Sequence, residues 1–246
     1  MPTEADYWNG LAPFGLDAAV IDPLDSRGLK NAYITGLRSH VLLTELAALP
    51  VHAKVLDLGC GTGALLQEFG AAGHDAVGLD IAEQLLRDSR QRFGGAPPAA
   101  VYDGQRFPLA SGQFTAVCTY VVLNHITDET QLRAVLAEVW RILAPGGRLL
   151  AIEQLRHRTR QEPWRHACRR SAADWQALFS EAGFRIAAPQ VLRYGHNPLI
   201  YAIRYGLVPR RRLAAFARFE RAVAGQFGPP RFDYADALFI ATKPGT

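Results

Sequence analysis

Val55-Leu56-Asp57-Leu58-Gly59-Cys60-Gly61-Thr62-Gly63 is the stretch whose reading decides the fold. Its apolar opening reads as a short strand, and three glycines at alternate positions then break it. Leu65, Leu66 and Phe69 follow at helical spacing. A strand that turns through glycines into a helix offers free backbone N–H groups and a positive helix end to a ligand. The glycines let that ligand lie against backbone where a side chain would collide with it. The stretch therefore reads as a cofactor loop.

Two kinds of cofactor fit the spacing. Gly59-x-Gly61-x-x-Ala64 agrees with the dinucleotide fingerprint. Asp57 tilts the choice, because its carboxylate would repel a pyrophosphate and attract a cationic amino acid head group. S-adenosylmethionine has such a group, a sulfonium and no phosphate. At this point a resemblance enters. VLDLGCGTG, GLDIA at 78–82 and AEVWRILAPGGRLL at 137–150 resemble segments of the class I S-adenosylmethionine-dependent methyltransferases. The resemblance covers roughly residues 50–155, taken as the cofactor-binding core. It implies that the loop with Asp57, Gly59, Gly61 and Gly63 holds the methionine part of the cofactor, leaving S-adenosylhomocysteine as product. It also implies that Asp80, with Ile81 beside it, takes the ribose hydroxyls, and that Asp103 and Gly104 approach the adenine. Asp80 lies 23 residues after Asp57, near the offset of about 20 expected for a ribose-binding acid. Asp80 is equally a helix N-cap residue, and Asp103-Gly104 a turn pair.

Outward from the loop, strands are predicted at 54–58, 75–80, 99–102, 114–121 and 148–153, with helices near 63–72, 82–93 and 128–143. Such alternation means an α/β, doubly wound, mostly parallel sheet. Ligands bind beyond the carboxyl ends of its strands, where the nominated residues fall. Family topology implies seven strands, the last (235–242) antiparallel to a strand at 184–193, in a Rossmann-like methyltransferase fold with a helical lid. One domain is expected over 1–246. Residues 1–35 read as an irregular lid segment, with Tyr7, Lys30 and Tyr33 as its candidates. A helix is predicted from Thr35 to Leu49, stopped by Pro50. Residues 195–230 read as a helical insertion capping the substrate.

Composition narrows the class. Half of the 246 residues are apolar, enough for a full core. No uninterrupted apolar run of about 18 residues suggests a membrane span, and the acidic N-terminus lacks a signal peptide's apolar stretch. Cys60, Cys118 and Cys168 have neither paired nor metal-like spacing, so reduced thiols, no metal and a cytoplasmic location are expected. Residues 1–140 carry 9 Lys/Arg against 16 Asp/Glu, whereas residues 141–246 carry 18 against 7. A basic half points to an anionic partner, a phosphate-bearing substrate or an anionic membrane surface, or simply to a solvated face. The crowd from Arg156 to Arg170 reads as loop. No motif indicates DNA, RNA is disfavoured, and a homodimer stays open.

Methyl transfer from a sulfonium needs alignment and exclusion of water, and a hydroxyl acceptor also needs its proton removed. His125, just past the fourth strand, is the first candidate base, and His196 the second. Tyr120 should line the pocket; Tyr33, Glu153, Tyr194 and Tyr201 are candidates for substrate contact. The leading reading is methylation of a small molecule at a hydroxyl of sugar, lipid-linked or natural-product type. A non-catalytic cofactor-binding sensor or partner subunit is the alternative, and a nicotinamide-dependent dehydrogenase comes third.

Overall fold

The computed structural model describes residues 4–14, 21–94, 98–163, 166–224 and 233–245. Parts of the predicted lid (1–3 and 15–20) and of the predicted insertion (225–230) lie outside them.

The sheet is built on β1 (Lys54–Leu58), which is buried on both faces after its first residue, as a central parallel strand must be. β1 pairs in parallel with β2 (Asp75–Asp80) on one side and with β4 (Phe114–Tyr120) on the other. β3 (Ala99–Val101) extends the β2 side, and β5 (Leu143–Arg156) the β4 side. β10 (Tyr234–Thr242) runs antiparallel to β5, from Tyr234 opposite Arg156 to Thr242 opposite Arg148. The main order is therefore β3-β2-β1-β4-β5-β10-β8. This seven-strand path matches the expected doubly wound sheet with one antiparallel strand. Strand order reverses between β1 and β4, which opens a crevice beyond their carboxyl ends.

Three departures from the predicted elements have local causes. The strand expected at 184–193 is two pieces, β8 (Arg185–Ile186) and β9 (Gln190–Tyr194), separated by Pro189, which has no N–H to give a ladder. β5 starts at Leu143 rather than 148, because Leu143 pairs with Phe114 before a bulge shifts the register. The arginine-rich stretch read as loop holds a hairpin of β6 (Arg160–Glu162) and β7 (Ala167–Ser171). Its charges are not all solvated. Arg169 is buried on Glu162 and on the Gln154 side chain, and Arg170 lies over the Trp175 ring.

Helix α1 (Glu4–Asn9) and a 3-10 turn at Ala12–Phe14 stand where irregular chain is predicted. The next helix, α2, spans Leu29–Leu46, six residues earlier than expected. Gly28 takes the left-handed conformation at its start, with φ 64°, and the Asp25 carboxylate accepts the N–H of Asn31 at 2.8 Å. Starting there brings Tyr33, Leu37, Arg38, Val41 and Leu42 onto one buried face. The remaining long helices are α3 (Ala64–Ala71), α4 (Glu83–Phe93), α5 (Glu129–Ile142) and α6 (Ala172–Glu181). The insertion supplies α7 (Pro198–Arg204) and α8 (Leu213–Ala224). Ile200, Ile203, Leu213 and Ala217 pack into one cluster with Tyr33, Leu37 and Val41, so the insertion covers α2.

Candidate active site

Beyond β1 the chain passes Gly59, Gly61 and Gly63 with φ of 75°, 50° and 76°. Side chains are excluded at two of them. A Cβ on Gly59 would stand 2.2 Å from Val122, and one on Gly63 2.2 Å from Ser89. The loop is clipped to the end of β2, since Gly59 and Cys60 both donate to the Leu79 carbonyl, at 2.7 and 3.1 Å. Asp80 completes the clip by accepting from Gly61 N at 2.7 Å and from Ala82 N at 2.8 Å. Each of its oxygens keeps a further lone pair for a ligand.

The loop forms one wall of a cleft with about 1220 Å³ of empty space, open solvent at its mouth included. Asp57, Gly59, Gly61, Asp80, Ile81, Gly104, Tyr120 and His125 all line it, as expected from the sequence. Two buried charged side chains inside keep atoms without a hydrogen bond. Asp57 Oδ2 accepts no hydrogen bond, and Nε and Nη2 of Arg38 donate none. Burial pushes the Asp57 carboxyl up to about 7, while the Arg38 guanidinium opposes that rise and Asp80 adds to it. Arg38 also lies over the Tyr120 ring, 5.2 Å from its centre.

His125 stands on the opposite wall, at the end of the turn Leu123–His125. Its Nδ1 is 2.7 Å from the carbonyl oxygen of His166, which can only accept. The proton therefore sits on Nδ1, and Nε2 presents a lone pair. Burial, with help from the Arg169 charge, lowers its pKa to about 4, so the ring is neutral at physiological pH. Trp8 of α1 meets the ring edge-on at 4.8 Å and donates from Nε1 to Glu4 at 3.1 Å. Trp8 and Glu4 thus cover the cleft, whereas the lid candidates Tyr7, Lys30 and Tyr33 face elsewhere. Tyr7 stacks on His166, Lys30 pairs with Asp22, and Tyr33 is buried on Glu220.

Other nominated residues lie outside the cleft. Gly63 closes the loop against Ser89. Asp103 is exposed, and its Oδ1 accepts from Gln105 N and Arg106 N, both at 2.8 Å. It follows the turn reading and leaves Tyr102, Gly104 and Gln131 as lining there. His196 pairs with Asp233 at 2.9 Å and stacks near Tyr201, while the Tyr194 hydroxyl donates to the Ala224 carbonyl. These residues belong to the insertion, which packs on α2 rather than over the cleft.

Glu153, expected at the substrate, is fully buried beneath it. Its carboxylate accepts from the Thr119 hydroxyl at 3.0 Å, Leu123 N at 3.0 Å and Asn124 N at 3.1 Å. It is the anchor of the turn that carries His125. Removing it in Glu153→Ala leaves three buried donors unpaired, each costing about 1–3 kcal/mol. Chemical denaturation should show a stability loss of about 3 kcal/mol or more, and a variant as stable as the parent would refute the anchoring role.

Arg38, Trp8 and Glu4 gave no motif signal. The available signal for Arg38 is its place three and four residues before Val41 and Leu42 in the predicted helix, on the apolar face, where an arginine asks for a partner. Val121, which follows Tyr120 at the strand end, lines the cleft at φ 54°, a strained conformation for a β-branched residue and of the kind that gathers at functional sites.

A reversed parallel sheet with a glycine loop and an acid at the next strand end defines a Rossmann-like cofactor-binding protein. The comparisons narrow this. Residues 56–151 match the family model described as a methyltransferase domain. The chain is 39% identical over 113 residues to the ubiquinone/menaquinone biosynthesis C-methyltransferase UbiE of Bordetella parapertussis, covering 44% of this chain and 43% of that protein. It is 30% identical over 156 residues to the demethylmenaquinone methyltransferase of Roseiflexus castenholzii, covering 62% and 56%. The matches thus span about half the length of these relatives. Among solved structures, the Haemonchus contortus phosphoethanolamine N-methyltransferase 2 in complex with S-adenosyl-L-methionine shares the fold, with TM-score 0.64 and 16% identity over 92% of this chain and 59% of that one. Residues 56–151 are thus a methyltransferase domain, of the kind that the loop motif and the strand order share with the class I S-adenosylmethionine-dependent methyltransferases.

The cleft fits that family's cofactor. The unbonded Oδ2 of Asp57 and the unbonded Nε and Nη2 of Arg38 are what the ammonium and carboxylate of an amino acid end require. Asp80 retains acceptor capacity for a diol. A dinucleotide's pyrophosphate would meet two carboxylates at the same loop.

Proposed function

We propose that the chain is an S-adenosylmethionine-dependent methyltransferase acting on a small molecule with an acidic hydroxyl, of phenol or quinol type. Transfer is to that oxygen or to a ring carbon conjugated with it. Asp57 and Arg38 hold the amino acid end of the cofactor, Asp80 its ribose, and Ile81, Gly104 and Gln131 surround its base. When bound, the cofactor supplies a methyl group already activated as a sulfonium, so the protein's part is to align the acceptor and exclude water. Trp8 and Glu4 close the cleft over it.

The observation that carries the acceptor class is His125, a neutral imidazole on the cleft wall whose Nδ1 is held by the His166 carbonyl, leaving Nε2 as the free lone pair. Nε2 takes the acceptor's proton while Nδ1 stays bound to the His166 carbonyl. A base of pKa about 4 is weak, and it is better matched to a phenol, near 10, than to a water-like hydroxyl, near 16. That favours phenols and quinols over the sugars also weighed from sequence. Oxygen and carbon transfer both begin with removal of that hydroxyl proton; after carbon transfer the ring C–H proton leaves to solvent and the hydroxyl regains its own. The names of two relatives place such chemistry in ubiquinone and menaquinone pathways, which lends support to this acceptor class.

The test is turnover. The protein is incubated with S-adenosylmethionine and separate phenols, quinols and sugars, and methylated product is measured by mass spectrometry. Phenols or quinols should be methylated, and His125→Gln should lower kcat by about a hundredfold or more with cofactor affinity unchanged. Turnover confined to sugars, or undiminished in His125→Gln, would overturn the acceptor assignment. Cofactor binding without turnover on any acceptor would favour the sensor reading.

A further inference from the structure

The junction between α7 and the 3-10 turn at Arg210–Arg212 presents a surface that the rest of the described chain does not cover. Tyr205 and Leu207 are 65% and 76% exposed, and Leu24, at 76%, stands on the turn fastened to them. The fastening is specific. Arg27 Nη1 donates to the Tyr205 carbonyl at 2.6 Å, and Arg204 Nη2 to the Leu24 carbonyl at 3.0 Å. Arg204 also reaches Asp22 at 3.5 Å. The three apolar side chains are therefore held together by two chain segments tied through their backbones. Immediately beyond them, Arg210, Arg211 and Arg212 are all exposed. No carboxylate among the described residues pairs with them. On α8, Arg218 and Phe219 continue the same composition, Phe219 at 63% exposed.

Large apolar side chains beside unpaired arginines are the make-up of surfaces that lie in the lipid headgroup region. We propose that this knuckle seats the protein on an anionic lipid bilayer. Leu24, Tyr205 and Leu207 enter the headgroup boundary, and Arg210, Arg211 and Arg212 meet lipid phosphates. Charge complementarity selects this occupant. A second copy meeting the same face across a two-fold axis would bring two arginine triplets together. A polyanion such as RNA would satisfy the arginines and leave Leu24 and Leu207 in water. The knuckle also explains part of the basic C-terminal half. Arg169 and Arg193 are spent on buried carboxylates, whereas the 210–212 triplet is not.

None of these residues lines the cleft, so the proposal stands apart from the catalytic reading and is tested separately. The full chain is floated with vesicles of phosphatidylcholine alone and of phosphatidylcholine mixed with phosphatidylglycerol. The protein should float with the anionic vesicles only, and less so as salt rises. Leu207→Glu should weaken binding about tenfold, and the triple change Arg210→Gln, Arg211→Gln, Arg212→Gln on the order of a hundredfold. Both variants should keep the parent's melting temperature and cofactor affinity, which shows that they fold. Failure of the parent to float with anionic vesicles would overturn the proposal, as would flotation indifferent to Leu207→Glu. Loss of a dimer in light scattering on the Leu207→Glu change would assign the face to a second copy instead. RNA binding that needs the arginines but not Leu207 would assign it to nucleic acid.

Discussion

Asp80→Ala should abolish useful cofactor binding, with affinity for S-adenosylmethionine falling about a thousandfold. That figure follows from losing two hydrogen bonds between a ribose diol and a carboxylate, each worth about 1.5–3 kcal/mol when one partner is charged. The same change strikes the protein's own frame. Gly61 N and Ala82 N both lose their acceptor, and two orphaned buried N–H groups cost about 2–6 kcal/mol of stability. The glycine loop would then be tied to β2 only through the Leu79 carbonyl. Asp80→Asn separates the two effects. It fills the same volume and keeps one oxygen for a backbone N–H, so it should lose less stability while still binding the cofactor weakly. Calorimetry gives the affinities and a denaturant titration the stabilities. Tight binding by Asp80→Asn would show that the carboxylate serves the loop alone and would remove it from the ribose site.

How much of this was readable beforehand depended on whether a residue's role is local. The glycine loop and Asp80 lie at adjacent strand ends, so motif spacing and the family resemblance together bring them to the cleft wall. His125 was placed by the strand end that precedes it. Asp103 shows the converse. Asp-Gly is a turn pair by its own chemistry, and that local preference prevailed over the role implied by resemblance. Glu153, Tyr33, Tyr194 and His196 were misplaced for another reason. Their partners are set by long-range packing, Leu123 N by the pairing of β4 with β5, Asp233 by that of β9 with β10, and Glu220 and Ala224 by the seat of α8, and no periodicity carries that information. Tyr33 and Glu220 are 187 positions apart. Arg38 lies inside the predicted helix, but what its guanidinium faces is set by how α2 packs against β4 and the cleft, and periodicity does not carry that.

Arg38 and Asp57 give the second large effect, and its sign follows from their burial. In the unliganded protein the Asp57 carboxyl titrates at about 7, well above an unfolded aspartate near 3.9. A carboxyl raised in this way stabilises the fold at low pH, and that contribution is lost as pH rises through the folded value. Glu153, also raised to about 7, acts in the same direction. Cofactor binding runs oppositely, because an ammonium selects the ionised Asp57. Affinity should therefore rise by nearly tenfold per unit up to about pH 7 and level off above it. At about pH 6 binding should release close to one proton, seen as a calorimetric heat that differs between buffers of different ionisation enthalpy. The cofactor should raise the melting temperature more at about pH 8 than at about pH 5. Asp57→Asn should flatten the pH dependence, and an affinity independent of pH in the parent would refute the pairing. Arg38→Leu removes the carboxylate's partner and the charge that holds the Asp57 carboxyl down. Affinity at neutral pH should drop about a hundredfold, within the range for one charge-assisted pair in a buried site plus the added protonation of Asp57. Methylthioadenosine, which lacks the amino acid end, should bind the parent and Arg38→Leu equally. A matching loss with that ligand would mean that Arg38 only supports the cleft through the Tyr120 ring, and the amino acid end would then need another anchor.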